Sequence, residues 1–237
     1  MRLSAPVYQL KRKARLLSRA ADIPLHEALD RIAVQEGFGA WSLLVARMSA
    51  VTPAAKLFAQ LSPGDLLLMG ARPGHGKTLM SLKLAVEAMQ SGQRSVFFSL
   101  EYSEREVLDR FRAIGVERAR FDGLFDFDNS DDISADYIVR KLADAPRGSL
   151  IVIDYLQLLD QKRENPALMA QVRALQSFAR ERGLIFVFIS QIHRSYDPAV
   201  KPYPDLEDVR LPNPVDLGLF SKTCFLNNGD VRFQAAR

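Results

Sequence analysis

One eight-residue segment constrains the fold more than any other: Ala71-Arg72-Pro73-Gly74-His75-Gly76-Lys77-Thr78, which directly follows the apolar run Leu66-Leu67-Leu68-Met69-Gly70. It fits the P-loop pattern in its relaxed form, with Ala where the strict form has Gly. Small residues let backbone N–H groups curl around phosphate oxygens. Lys77 supplies a point charge, and the Thr78 hydroxyl is a ligand for Mg²⁺. A helix starting at Gly76 aims its positive end at the same anion. A chance Gly/Pro turn before a lysine would not come with strand, loop and helix in this order. The segment therefore implies a strand–loop–helix unit in an α/β fold that binds nucleotide phosphates through Arg72 to Thr78.

The remaining pattern extends that unit. From residue 62 on, apolar runs alternate with helical periodicity, which implies a mainly parallel sheet flanked by helices. Strands are expected at 66–70, 95–100, 124–127, 149–154 and 184–190, with helices at 77–90, 103–112, after Ser134, and at 166–182. Ser103 with Glu106 forms a capping-box pair. Two final strands are expected near 217–226 and 231–235. Residues 1–52 read instead as a small basic module of three helices, with apolar Val7, Leu10, Ala14 and Leu17, then Leu25, Ala28, Leu29, Ile32 and Ala33, then Trp41, Leu43 and Leu44. Val51-Thr52-Pro53-Ala54-Ala55 reads as the linker, so the α/β domain is expected over 53–237.

Composition narrows the classes. The chain has 237 residues, 48% hydrophobic and 25% charged, enough for one well-buried core plus an appendage. Cys224 is the only cysteine, which excludes an internal disulfide framework and argues against a cysteine metal site. The histidines His26, His75 and His193 have no zinc-site spacing. No apolar run reaches membrane-span length and the start is basic rather than apolar, so the expected location is the cytoplasm, with no membrane partner. The net charge of +4 sits entirely in residues 1–55, where Arg2, Lys11, Arg12, Lys13, Arg15, Arg19, Arg31 and Arg47 face Asp22, Glu27, Asp30 and Glu36. A basic stripe of this kind serves nucleic acid or is a plain solvated face, and charge alone leaves both open.

Ligands of open parallel sheets bind at the carboxyl ends of the strands. Asp154, after Ile151-Val152-Ile153, stands where a carboxylate would share Mg²⁺ with Thr78. Glu101 ends the second strand, where it can orient an attacking water or simply favour the following helix start. Gln191 ends the 184–190 run, where it can sense the terminal phosphate or be an ordinary polar exit.

Four segments together resemble the successive motifs of the ATPase domain of DnaB-type replicative helicases: the P-loop, Phe98-Ser99-Leu100-Glu101-Tyr102-Ser103, Leu150 to Leu159 around Asp154, and Ser190-Gln191-Ile192-His193-Arg194. The resemblance runs from about residue 60 to the end. It implies a RecA-like P-loop NTPase that binds ATP and Mg²⁺, with Lys77 and Thr78 on the phosphates and metal, Glu101 as catalytic base, Asp154 on the metal and Gln191 as sensor. It also implies single-stranded DNA as partner and a homo-oligomeric, hexameric ring. Lys162, Arg163 and Arg194 fall in the two segments that would face the DNA, and Tyr196 beside them is a candidate for stacking on a base, although a loop tyrosine more often packs on its own domain. Arg237 falls where an arginine finger would stand, with Ala235 at the position of its companion lysine. The region Phe111 to Leu124 is shortened, and residues 1–52 do not resemble the family's primase-interacting domain.

Two functions are thus expected to compete. One is an ATP-hydrolysing DNA helicase or translocase. The other is a RecA-like ATP-binding switch or adaptor that holds DNA or a protein partner without unwinding.

Overall fold

The computed structural model describes residues 4–5, 7–49, 52–116, 121, 123–211, 213–227 and 230–235. These divide into two compact units, Met1–Thr52 and Pro53–Arg237. The first contains α1 (Val7–Ala21), α2 (Leu25–Gln35) and α3 (Trp41–Ser49). Its core is small: Leu10 and Ala14 of α1 pack with Ala28, Ile32 and Ala33 of α2 and with Leu44 of α3. Two side chains close the turns. The Ser18 hydroxyl donates to the Ile23 carbonyl at 2.7 Å, and the Trp41 N–H donates to Asp30 at 2.7 Å, which starts α3. Leu43, expected on the apolar face, is exposed, because the α3 phase that buries Leu44 turns its neighbour outward.

The second unit is a seven-stranded sheet in the order β3-β2-β4-β5-β1-β6-β7. The strands are β1 (Leu66–Ala71), β2 (Ser95–Ser99), β3 (Phe125–Asp128), β4 (Leu150–Asp154), β5 (Ile185–Gln191), β6 (Lys222–Asn227) and β7 (Asp230–Ala235). All pairings are parallel except β6 with β7. The expected α/β sheet is therefore what the chain forms. Strand residues alternate faces with period two. Leu66, Leu68, Val96, Phe98, Ile151, Ile153, Phe186 and Phe188 pack on one side with α7 (Ala135–Lys141) and α8 (Leu168–Arg182). Leu67, Met69, Phe97, Leu150, Val152, Val187 and Ile189 pack on the other with α4 (Pro53–Phe58), α5 (Lys77–Gln90) and α6 (Glu104–Ala113). Burial on both faces explains why the central strands read as continuous apolar runs.

Two elements differ from the sequence reading. Pro53 begins α4 rather than extending a linker: proline suits a first helical position, where its missing N–H is not needed, and Ala54 and Leu57 then bury on the sheet. The expected strand at 217–226 is split. Leu217–Leu219 forms a 3₁₀ turn because the Asp216 carboxylate accepts from the Gly218 N–H at 2.9 Å, and the strand begins only at Lys222.

The sheet is tight where β1 approaches β6. A Cβ on Gly70 would lie 2.7 Å from a ring carbon of the buried Phe225. Gly70→Ala is expected to cost about 1–3 kcal/mol and to lower the melting temperature by roughly 2–4 °C per kcal/mol, as thermal unfolding would show.

Candidate functional site

The strand order decides which side chains meet. In β1, Ala71 lies in register with Gln191 of β5, and Ser99 of β2 lies beside Asp154 of β4. The carboxyl ends of β1, β5, β4 and β2 therefore line one rim, and β1 turns there into the P-loop. A cleft of about 460 Å³ opens on this rim. It is lined by Pro73, Gly74, Gly76, Lys77 and Thr78 from the loop and α5, by Glu101, Tyr102 and Arg110 after β2, and by Asp154 and Gln191 from the central strands. Four separate sequence segments thus reach one cavity.

The loop has the shape an anion needs. Gly74 and Gly76 have φ of +78° and +83°, which L side chains rarely adopt, and a Cβ on either would meet nothing within 4 Å. Both face open space, and both line the cleft. The first turn of α5 leaves N–H groups without intrahelical acceptors, pointing the same way. The Lys77 ammonium donates to the Ala71 and Arg72 carbonyls at 3.0 Å each. Burial pushes its pKa down, while Asp154 and Glu101 pull it back up.

The Thr78 hydroxyl donates to an Asp154 carboxylate oxygen at 3.0 Å. That places one hydroxyl and one carboxylate at a shared point, as a magnesium ion requires. Asp154 is 2% exposed. Burial raises its pKa to about 6, with Glu101 adding to the rise and the Thr78 hydrogen bond and Lys77 opposing it. No cluster of three or more His, Cys, Asp or Glu suited to a metal occurs among the described residues. Mg²⁺ bound beside a nucleotide needs none, since it takes one or two protein ligands plus phosphate and water oxygens.

Glu101 is exposed at the cleft, and its N–H donates to the Ser99 hydroxyl at 3.1 Å. The helix after it has its own cap: the Ser103 hydroxyl accepts from the Glu106 N–H, and Glu106 accepts from the Ser103 N–H. Capping of α6 therefore does not require Glu101. Gln191 lines the cleft, and its carbonyl accepts from the Arg210 N–H at 2.8 Å.

Arg110 was not singled out by sequence. It lies on α6 with its guanidinium 4.5 Å from the centre of the Tyr102 ring, and it lines the cleft with Glu101 and Asp154. Position i+9 from Glu101, on the helix the capping box opens, was the available signal. A fixed cation over the cleft complements a polyphosphate and lowers the Asp154 pKa.

The other candidate residues do not join this cleft. Lys162 forms an ion pair with Asp132 at 2.5 Å, and Arg163 and Arg194 are exposed. Tyr196 is 4% exposed, its hydroxyl donating to the Lys201 carbonyl at 2.7 Å and its ring lying 5.8 Å under the Arg72 guanidinium. It holds the loop after β5 in place and has no free face for a base. Arg72 also donates to the Arg194 carbonyl at 3.2 Å, linking the P-loop to that loop. His75 sits in the P-loop, half-buried. Arg237 lies outside the described residues. No described helix is long and apolar enough to cross a membrane.

Comparison with known proteins bears on the family and the fold. The family model for the AAA domain matches residues 40–195. The replicative DNA helicase DnaB of Mycoplasma genitalium is 27% identical over 184 residues, covering 62% of this chain and 39% of that protein. The chain thus spans about two fifths of the length of this relative. Among solved structures, a KaiC-like protein of the hyperthermophilic archaeon Pyrococcus horikoshii superimposes with a TM-score of 0.55 at 16% identity, covering 74% of this chain and 80% of that one. A DnaB-like replicative helicase solved for its interactions with primase gives 0.52 at 20% identity, covering 86% and 63%. The fold is RecA-like, the motifs are similar in sequence to those of DnaB-type helicases, and the chain belongs to the AAA domain family.

Proposed function

We propose that this chain is a DnaB-like ATPase that hydrolyses Mg²⁺-ATP and uses the cycle to move along single-stranded DNA, as a translocase or as a helicase that displaces the complementary strand. The observation that carries the reading is the convergence of Lys77, Thr78, Asp154, Glu101 and Gln191 on one cleft from four segments. Bound Mg²⁺ would neutralise phosphate charge, held by Thr78 and Asp154. The Gly74–Gly76 backbone and Lys77 bind the phosphates. Glu101 accepts a proton from, and orients, the attacking water, while Gln191 reports the terminal phosphate to the loop after β5. Arg110 balances charge across the cleft. Lys162, Arg163 and Arg194 would meet DNA phosphates, and Arg237 would act in a neighbouring subunit of a ring.

Glu101→Gln tests the base. The amide keeps the shape but cannot take the proton, so kcat is expected to fall about 10²- to 10⁴-fold with nucleotide affinity retained. A rate within a few fold of wild type would remove Glu101 from the mechanism.

A second reading has its own support. Lys162 is already paired with Asp132, and Tyr196 is packed inward, so the surface offered to DNA is thin. In that reading the chain is an ATP-binding switch that holds DNA or a protein without unwinding. Strand displacement with ATP, measured beside the oligomeric mass, separates the two: a monomer with no unwinding favours the switch.

A further inference from the structure

The first unit carries a cationic face that the ATPase site does not use. Lys11, Arg15 and Arg19 follow one another at four-residue intervals along α1, and Arg12 lies beside them. At 100° per residue these four fall within about 100° of the helix circumference, on the side away from Leu10 and Ala14. Successive residues of the row are spaced about 6 Å along the helix axis. All four are exposed.

Of the unit's four acids, Asp22 makes no ion pair with this row among the described residues, and the other three are engaged elsewhere. Glu27 pairs with Arg31 at 2.7 Å. Asp30 accepts from the Trp41 N–H. Glu36 accepts from the Ser4 N–H at 2.7 Å and from the Ser4 hydroxyl, and of the basic groups on α1 it feels Lys13. Among the described residues, Lys11, Arg12, Arg15 and Arg19 make no ion pair. Four like charges on one short surface repel each other. Such an arrangement is relieved by a polyanion of matching spacing.

The chemistry of the face narrows the polyanion. A helix that lies on a membrane needs a free apolar face opposite its cations. Here that face is consumed, because Leu10, Ala14 and Leu17 pack against α2 and α3. A protein interface needs apolar or aromatic anchors at its centre. The exposed large hydrophobic residue described on α1 is Leu16 alone, 58% exposed at the margin of the row. A line of phosphates fits, since it asks only for spaced cations.

We propose that α1 is a nucleotide-independent docking surface for the phosphodiester backbone of single-stranded DNA, with Lys11, Arg12, Arg15 and Arg19 as its contacts. A flexible single strand can adjust its phosphates to the row. The choice of single strand rests on the proposed function of the second unit; the phosphate chemistry does not. The surface reads no bases, so its binding is insensitive to sequence.

The test uses the full chain without nucleotide, a labelled single-stranded oligonucleotide and fluorescence anisotropy across a salt series. The variant K11Q/R12Q/R15Q/R19Q removes the charges while keeping good helix formers on an exposed face. The salt slope, log K against log[salt], is expected to flatten by roughly 2 to 3. Equivalently, the wild-type chain loses roughly 20- to 60-fold more affinity than the variant between about 50 and 200 mM salt. The charge-preserving variant K11R/R12K/R15K/R19K should keep the wild-type slope. An unchanged slope in the glutamine variant overturns the proposal, as does an equal loss in the charge-preserving one. A larger flattening on a duplex of the same sequence overturns the single-strand assignment, and a larger loss on anionic phosphatidylserine vesicles overturns the nucleic acid. The assay contains no nucleotide, so its outcome is separate from that of the proposed function: a chain that releases no phosphate from Mg²⁺-ATP in a parallel measurement would sink the ATPase reading and leave the α1-dependent slope in place.

Discussion

Replacing Lys77 with alanine is expected to reduce ATP hydrolysis by about 10²-fold or more, the scale of losing one preorganised charge at a developing anion. The fold should survive the change. The two carbonyls that Lys77 touches keep other donors: Ala71 accepts from the Ile192 N–H at 3.3 Å, and Arg72 accepts from the His75 N–H at 3.2 Å. No acceptor is orphaned when the ammonium is removed, so the expected loss belongs to chemistry and not to stability. Phosphate release and thermal unfolding on the same preparation check both halves. Hydrolysis at the wild-type rate would remove the P-loop from the reaction, and a large fall in melting temperature would assign Lys77 a structural role.

Asp154→Asn is expected to move activity and stability in opposite directions. Magnesium-dependent hydrolysis should fall by orders of magnitude, because the amide supplies no charge to the metal. The nucleotide-free chain, however, should become more stable at pH 8. The sign follows from the raised pKa. Asp154 is held near 6 in the fold by burial, against 3.8 unfolded, so the folded state binds the proton more tightly and stability falls as pH rises between those values. Above pH 6 the folded chain carries the full cost of a buried carboxylate, about 1–3 kcal/mol. The asparagine variant does not, and its side-chain oxygen can still accept from the Thr78 hydroxyl. Melting curves at pH 8 should show the variant higher by several degrees, and at pH 4 to 5 the gain should shrink as Asp154 becomes neutral. A variant less stable than wild type at pH 8 would contradict this.

Much of the site was legible in the sequence because its parts lie where regular elements end. Asp154 and Gln191 close apolar runs, Glu101 follows one, and Lys77 with Thr78 opens a helix, so strand and helix patterns made them candidates, and the P-loop motif with the DnaB-type resemblance singled them out. What the one-dimensional pattern lacked was strand order. That β5 lies between β1 and β4, bringing Gln191 beside the P-loop, is a property of long-range pairing. Arg110 was missed for a related reason: it is one of several charged residues on α6, and only the Tyr102 contact and the turn of the helix aim it at the cleft. Tyr196 follows the commoner of its two sequence readings, packing on its own domain: its hydroxyl finds the Lys201 carbonyl and its ring the Arg72 side chain. The segment from Val51 to Ala55 reads as a linker because it lacks a helical apolar period of its own, and only the burial of Ala54 and Leu57 on the sheet makes Pro53 a helix start.

The proposed function requires the cleft between the P-loop, Glu101 and Asp154 to hydrolyse ATP in service of DNA. Steady-state phosphate release by the full chain, with Mg²⁺-ATP and with or without single-stranded DNA, reads this out without any substitution. A magnesium-dependent rate that rises when the DNA is added is the expected result. No phosphate release under either condition would contradict it.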